Sequence, residues 1–499
     1  MKWGLNVGSK KNKKDDIIVT FMGESRNDVT GSSVLINVPK KDRSGRYNIL
    51  IEMGLVQGGK TIEQDLANNR RMLERFNKEL IGSIETVFVA HQHCDHCGNL
   101  PYLTANGFEG NVITTRESVP IMRDLIEDSV KIHQGNIQKL KELKGKRVKE
   151  FYNTHDMYSL FEKIEYKTIG EKYRLNDEIE YRFIHSGHVL GGAMLELWIT
   201  KPNNCTKHLV YTSDIGSNYN NQFQYFVEQR DELPNCNLLI SEATYNNPNR
   251  SWTKKDAIEE RKQLKQEIKE GLQSNKEILF SSFSFGRTQN LMCMLYDFFN
   301  EEEWFNEYEV VLDGVLLHKI NNDYCNVLQG EELEYFNRVL RWKNLKLNKE
   351  YAGTKMILTE RKPRIVIATS GFLTNGRIVS YLQSLVSSSK AVIYLTGYCG
   401  GEGSLGYRLL NPEQKTITIE KMTLIKRAKI RQLKTFSSHI QYDELISFLK
   451  SANCDKVLIH HSSDKDKYEF GETLREEFRK SSKSTKVDVV SDKNNQFIL

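Results

Sequence analysis

The chain lacks any apolar run approaching the roughly 18 residues that a membrane-crossing helix needs, so a membrane-spanning protein is not expected from its 499 residues. Its first residues, MKWGLNVGSKKNKKDDIIVTF, carry basic side chains but no long apolar core ahead of a cleavage site. A secretory leader is not expected either. Neither sign of charge dominates. The 71 Lys and Arg against 65 Asp and Glu leave +6, which permits an anionic partner and argues against a strongly basic nucleic-acid coat. Cysteine is sparse: Cys94, Cys97, Cys205, Cys236, Cys293, Cys325, Cys399 and Cys454 are scattered. That pattern fits a reducing cytoplasm better than a disulfide framework. Cys94 and Cys97 form a C-x-x-C, but no second pair follows to complete a zinc ribbon, and packed loop residues are the expectation there. No internal repeat is visible, and the only low-complexity piece, KSSKSTK (480–486), reads as a solvated linker.

What is present is an ordinary globular composition, 39% hydrophobic and 27% charged, in a length that calls for two or three domains. Short β-branched runs bounded by turn residues read as strands at 17–23, 32–38, 47–54 and 84–91, with a helix over 61–80 between the last two. A helix follows over 116–145, then strands at 178–188, 193–200 and 208–214. From Thr253 the pattern becomes strand–helix alternation, with helices after Thr253 and at 286–300 and strands at 277–284, 308–314 and 364–370. This implies a parallel α/β sheet. Strand character resumes at 391–397 and 456–461.

The strongest chemical signal is HQHCDHCGNLP, which places His91, His93, Asp95 and His96 within six residues, directly after a strand. Imidazoles and a carboxylate are the usual ligands of zinc-like ions. Four candidates in one turn suit two adjacent metals, each given two ligands by this loop. His188, in GHVLGG, and Asp214, in VYTSDIG, follow at later strand ends. One metal is expected to take His91, His93 and His188, the other Asp95 and His96, with Asp214 bridging.

These segments resemble the metallo-β-lactamase superfamily, specifically its β-CASP nuclease branch. ILIEMGLVQGG looks like the first motif, with Glu52 where the family normally has Asp. HQHCDHCGNLP, GHVLGGA and YTSDIG match the second, third and fourth. LLISEATY resembles the acidic motif A with Glu242, FSSHIQYDEL motif B with His439, and VLIHHSSD motif C with His460. SFSFGRTQNL and ATSGFLTNGR resemble internal segments of the β-CASP domain and TGYCGGEGSLGYRL its glycine-rich exit, and ATSGFLTNGR is closer to the messenger-RNA 3′-end-processing subgroup than to RNase J.

The resemblance implies an α/β fold, a four-layer αββα sandwich interrupted by a parallel α/β insertion. Residues 1–243 and 396–499 would form the sandwich and 244–395 the insertion. It implies two Zn2+ per chain, with His460 as the last ligand of the second metal, preferred over its neighbour His461. It places Glu52 as the residue that orients a ligating histidine, and Ser462 where Glu is common.

The implied activity is hydrolysis of RNA phosphodiesters, endonucleolytic or from the 5′ end. A hydroxide bridging the two zinc ions would attack, leaving a 5′-phosphate and a 3′-hydroxyl. His439 is the candidate general acid, held protonated by Glu242, and Asp95 joins them as catalytic. The alternative for His439 is a helix-capping role. Ser284 and Arg287 in SFSFGR, and Ser370, Gly371 and Arg377 in SGFLTNGR, are candidate phosphate or RNA contacts at strand–helix turns. Expected partners are single-stranded RNA and a second copy of the chain, in the cytoplasm and away from membranes. The competing readings are a DNA-directed nuclease of the same branch, a small-molecule hydrolase on the same metal core, and a non-catalytic RNA-processing scaffold.

Overall fold

The computed structural model describes residues 14–499 except 60, 146–147, 219–223, 251, 374, 402 and 464–465. Most of the N-terminal stretch considered as a leader lies outside the described residues. No helix among them is long and apolar enough to cross a membrane.

Two seven-stranded sheets lie face to face. The first runs, from edge to edge, Gln496–Ile498, Ile18–Phe21, Val34–Pro39, Arg46–Ile51, Ile84–Phe88, Asn111–Thr115 and Ile164–Lys167. The second runs Lys486–Val489, Cys454–His460, Cys236–Glu242, Thr206–Tyr211, Ala193–Thr200, Ile179–His185 and Lys172–Arg174. Period-two alternation sends one set of side chains inward. Val34, Ile36, Val38, Ile49, Ile51 and Phe88 meet Phe183, Leu195, Leu197, Leu209, Leu238 and Ile240 between the sheets. The opposite set, Leu35, Leu50 and Val87, lies against Met72 and Leu73 of the helix Ile62–Leu73 and Met122, Ile126 and Val130 of the helix Ser118–Lys144. Val210, Leu239, Val457 and Ile459 likewise meet the helices Tyr442–Ser451 and Lys467–Lys480. The result is a four-layer αββα sandwich.

A six-stranded, wholly parallel sheet makes the inserted domain, in the order Leu345–Asn348, Val310–Asp313, Arg364–Ala368, Glu277–Ser281, Ala391–Leu395, Lys429–Gln432. Both its faces are covered, as a parallel sheet requires, by apolar clusters that include Leu291, Phe298 and Leu317 on one side and Ile378, Leu382 and Leu409 on the other. Ile121, Leu125, Val189 and Leu190 of the sandwich share the first of these clusters, so the insertion is seated on the sandwich through a common core. The chain leaves the sandwich after Glu242 and regains it by Ile440, whose N–H donates to the Ile215 carbonyl just ahead of the helix Tyr442–Ser451. Residue 395, the expected end of the insertion, ends a strand that pairs in parallel with Lys429–Gln432, so 396–432 belongs to the insertion's sheet and its cover.

Other differences from the sequence reading have local causes. The helix expected over 61–80 is two helices, Ile62–Leu73 and Lys78–Ser83, because Asn77 turns out to cap the second, its side chain accepting from the Leu80 N–H at 2.8 Å. The strand expected to reach His188 ends at His185, where Ser186 and Gly187 turn the chain. Gly187 adopts φ +71°, a left-handed conformation that glycine takes at little cost.

Candidate metal centre

Six strands of the sandwich deliver the site, each at its C-terminal end. Glu52 follows Arg46–Ile51, the HQHCDH loop follows Ile84–Phe88, His188 follows Ile179–His185 and Asp214 follows Thr206–Tyr211. Glu242 ends Cys236–Glu242, and His461 follows Cys454–His460. Two glycines let these loops close on one another. A Cβ on Gly54 would lie 1.5 Å from the Asp95 carbonyl oxygen, and one on Gly216 would lie 1.7 Å from that of Gly187. Any side chain at either position would push Asp95 or His188 away from the cluster.

The donor atoms converge on Asp214. Its Oδ2 lies 3.5 Å from His91 Nε2, 3.4 Å from His96 Nε2 and 3.6 Å from His188 Nε2, and its Oδ1 lies 3.4 Å from His461 Nδ1. His188 Nε2 is also 3.3 Å from His93 Nδ1. Asp95 Oδ2 lies 3.7 Å from His96 Nε2 and 3.9 Å from His461 Nε2. Two ligand-like groups result, His91, His93, His188 and Asp214 on one side and Asp95, His96 and His461 on the other. His91 Nε2, His96 Nε2, His461 Nε2 and Asp214 Oδ1 are buried without a hydrogen-bond partner among the described residues. Buried polar atoms are normally satisfied, so a set of orphans pointing at one another fits residues that hold metal ions.

Burial opposes a charge on His96, but Glu52, Asp214 and Asp95 outweigh it and raise its pKa well above the ordinary value, whereas the other four imidazoles are in the form a metal takes. Burial, reinforced by neighbouring imidazoles, holds His91, His93, His188 and His461 well below the ordinary histidine pKa and therefore neutral. Neutral imidazole is the form that binds metal. Burial also raises Asp95, to about 6, against the pull of His96 and with repulsion from Asp214.

A layer behind these residues orients them. Glu52 is fully buried, and its carboxylate accepts from His96 Nδ1 at 2.6 Å, Ser213 Oγ at 2.7 Å and the Tyr211 hydroxyl. Ser213 Oγ in turn lies 3.0 Å from His91 Nδ1. Each Nδ1 tied in this way turns the opposite Nε2 toward Asp214.

The structure corrects the expectation for His460. The imidazole beside Asp95 and His96 belongs to His461. Along Cys454–His460 the even-numbered Leu458 faces the other sheet, and His460, two residues on, continues that face. Its ring lies in the core, 5.3 Å from Phe21 and 5.5 Å from Tyr211. His461 stands past the strand's end with φ +48°, and that left-handed turn carries its side chain to the cluster.

His439 lies on the rim. Its Nδ1 is 3.3 Å from Glu242 Oε1, its Nε2 is 4.0 Å from Asp214 Oδ2, and its ring is 4.7 Å from that of His188. Glu242 is itself fixed by backbone N–H groups of Ile215 at 2.5 Å and Thr244 at 3.1 Å. Burial opposes a charge on His439, but Glu242 and Asp214 outweigh it and raise its pKa to about 9.

The candidate RNA contacts separate into two groups. Arg287 stacks over Phe283 at 4.7 Å, its Nη1 has no hydrogen-bond partner among the described residues, and its charge further depresses His93 and His188. It therefore stands next to the cluster, as does Phe285 against His93 at 5.4 Å. Ser284 is half-buried in the same turn. Arg377, by contrast, is engaged inside the insertion with Thr354 Oγ1 and the Lys349 carbonyl. Ser370 Oγ donates to the Asn375 carbonyl at 3.2 Å, and Gly371 makes room for the Phe283 ring. Phe283 was missed in the sequence, where an aromatic beside a strand end cannot be told from core.

An αββα sandwich with a histidine–aspartate cluster at its strand ends defines a metallo-hydrolase. Two domain families match the chain: the Beta-Casp domain over residues 288–409, and the Zn-dependent metallo-hydrolase RNA specificity domain over 424–489. The chain is 24% identical over 483 residues to Integrator complex subunit 11 of Danio rerio, covering 93% of this chain and 72% of that protein. It is 24% identical over 396 residues to the RNase J-like protein of Methanocaldococcus jannaschii, covering 79% and 85%. With Ribonuclease TTHA0252 of Thermus thermophilus it shares 25% identity over 462 residues, covering 90% and 94%. The chain belongs to the β-CASP branch of the metallo-β-lactamase superfamily.

Proposed function

We propose that this chain is a zinc-dependent ribonuclease that cuts RNA phosphodiester bonds and leaves a 5′-phosphate and a 3′-hydroxyl. The observation that carries the reading is the convergence of orphaned imidazole nitrogens on Asp214, beside an inserted Beta-Casp domain, in a chain similar to Ribonuclease TTHA0252 over most of its length. His91, His93 and His188 would hold one Zn2+, and Asp95, His96 and His461 the other, with Asp214 between them. When bound, such ions supply Lewis acidity toward a phosphoryl oxygen and a nucleophilic water at neutral pH.

The chain's own side chains do the rest. Glu52 fixes His96 directly and His91 through Ser213. His439 holds a proton on Nε2, the nitrogen turned toward Asp214, and gives it to the departing 3′ oxygen. Glu242 anchors the other nitrogen and favours the charged ring. Arg287 offers a fixed positive charge to a neighbouring phosphate. Half-buried Phe283 and Phe372 and the exposed Tyr398 line the strand ends of the insertion beside it. Such rings suit the unpaired bases of a single strand. The free thiols support a reducing, cytoplasmic setting.

The test is cleavage of end-labelled RNAs with different 5′ ends, alongside matched DNA, by protein of known zinc content. We expect two zinc ions per chain, RNA products with the stated ends, loss of cleavage on chelation and recovery on adding zinc. Cleavage that survives complete stripping, or a zinc-loaded protein that hydrolyses a small phosphodiester but no RNA, would overturn the reading. Internal against terminal products separate the endonucleolytic from the 5′-exonucleolytic mode.

A further inference from the structure

Cys236 and Cys454 each open a strand, Cys236–Glu242 and Cys454–His460. The first is the last strand of the sandwich before the insertion, and the second is the sandwich strand that follows it. The two cysteines are register partners in the parallel ladder, with Sγ atoms 3.2 Å apart and side chains 8% and 6% exposed. Neighbouring strands lie roughly 4.7–4.9 Å apart, inside the Cα window of about 4.4–6.8 Å that a disulfide needs. The catalytic ends of the same strands, Glu242 and His460, are six residues on, roughly 20 Å away at the usual strand rise. The pair therefore stands clear of the metal cluster.

We propose that Cys236 and Cys454 are a modification site, a reversible disulfide formed by a small peroxide, that staples the two strands flanking the insertion. The two thiols share a hydrogen bond in which either sulfur can donate; with Cys236 as donor, that bond and the nearby Lys483 ammonium ease ionisation of Cys454 and hinder that of Cys236. The Cys454 thiolate attacks one peroxide oxygen, the O–O bond breaks, and the leaving hydroxide takes a proton to become water. Cys236, losing its proton, attacks the sulfur of the resulting sulfenic acid and expels a second hydroxide, which leaves as water. Two thiols and one hydrogen peroxide thus become one disulfide and two waters. An external thiol reverses the bond by exchange.

The link would close a loop spanning 218 positions of chain, which restricts the unfolded ensemble. It also pins the register that sets Glu242 opposite His460, and with it the placement of His461. The experiment uses the zinc-loaded full chain, with the exposed Cys205 replaced by Ser (C205S) to suppress intermolecular links. After equimolar hydrogen peroxide and alkylation, non-reducing peptide mass spectrometry should find the Cys236 and Cys454 peptides joined and lighter by two hydrogens, reverting with dithiothreitol. The oxidised protein should unfold several degrees higher than the reduced one, and a C454S variant should show no shift. The wild-type comparison stands even where C454S folds poorly. Recovery of both cysteines alkylated, or each separately oxygenated, would overturn the site. A linked pair without a rise in the unfolding midpoint would overturn its role as a staple.

Discussion

Glu52 Oε2 lies 2.6 Å from His96 Nδ1, and the other oxygen of the same carboxylate reaches His91 through Ser213. One buried group thus orients a histidine from each of the two ligand-like sets. Burial alone would raise the Glu52 pKa, but the charge of His96 and hydrogen bonds from His96, Tyr211 and Ser32 outweigh it and hold Glu52 low. The carboxylate is an acceptor only, and all of these neighbours point donors at it.

Glu52→Gln replaces one acceptor oxygen by a donor, which then faces the Ser213 or Tyr211 hydroxyl. Zinc affinity should fall by about 10- to 100-fold, the usual cost of losing a partner that orients a ligand. Competition against a chromogenic chelator measures it. Affinity equal to the parent's would remove Glu52 from this role.

His461 and His460 are adjacent and should behave in opposite ways. His461→Ala removes a nitrogen that faces Asp95 and Asp214, so zinc content should drop from two ions toward one and RNA cleavage should collapse. His460→Phe removes an imidazole whose two nitrogens have no partner among the described residues. It restores an apolar contact between Phe21 and Tyr211, so zinc content should hold. Stability should rise by up to about 1–3 kcal/mol, the range for relieving an unsatisfied buried polar group. Loss of zinc from the His460 variant with retention in the His461 variant would reverse the assignment.

That pair also marks how far the sequence could be read. The HQHCDH loop, His188 and Asp214 were visible because each follows a β-branched run at a turn, and a strand end is where a side chain escapes the ladder. In VLIHH the same rule gives two candidates. Choosing between them requires the parity of the strand, that Leu458 and His460 share the inward face, and the left-handed turn at His461. Neither can be read from residue types. The insertion's last strand, KIRQ at 429–432, was hidden for a different reason: it is short, charged and at the sheet edge, with no apolar run to announce it. Arg287 and Arg377 occupy similar Gly-Arg turns, and only the tertiary contacts separate the arginine with an unpartnered nitrogen beside the cluster from the one spent on Thr354 and Lys349.

Arg287→Ala should therefore raise the KM for RNA about tenfold or more while a small activated phosphodiester, which needs no phosphate contact beyond the scissile one, is hydrolysed at nearly the parental rate. Arg377→Ala should instead lower the unfolding temperature, because it strips a hydrogen bond from Thr354 and the Lys349 carbonyl. Steady-state kinetics on both substrates, with a melting curve for each variant, separates the two. Equal losses on both substrates from Arg287→Ala would mean that it acts on the metal cluster rather than on RNA.

His439 supplies the sharpest test of the chemistry, because it touches Glu242 and Asp214 yet lies outside both the His91, His93, His188 and Asp214 group and the Asp95, His96 and His461 group. His439→Ala should keep both zinc ions and bind RNA as before, while cleavage falls by about 10²–10⁴-fold, the usual range for a positioned acid. A bridging phosphorothiolate leaves with little need of a proton, so the variant should regain much of the lost rate on that substrate. Glu242→Gln should show a smaller defect in the same direction, since the ring would keep its place but lose the charge that favours its proton. The argument turns on the leaving group. A residue that merely props up the metal site would depress both substrates equally, and such an outcome, or loss of zinc from His439→Ala, would require the acid to be sought elsewhere.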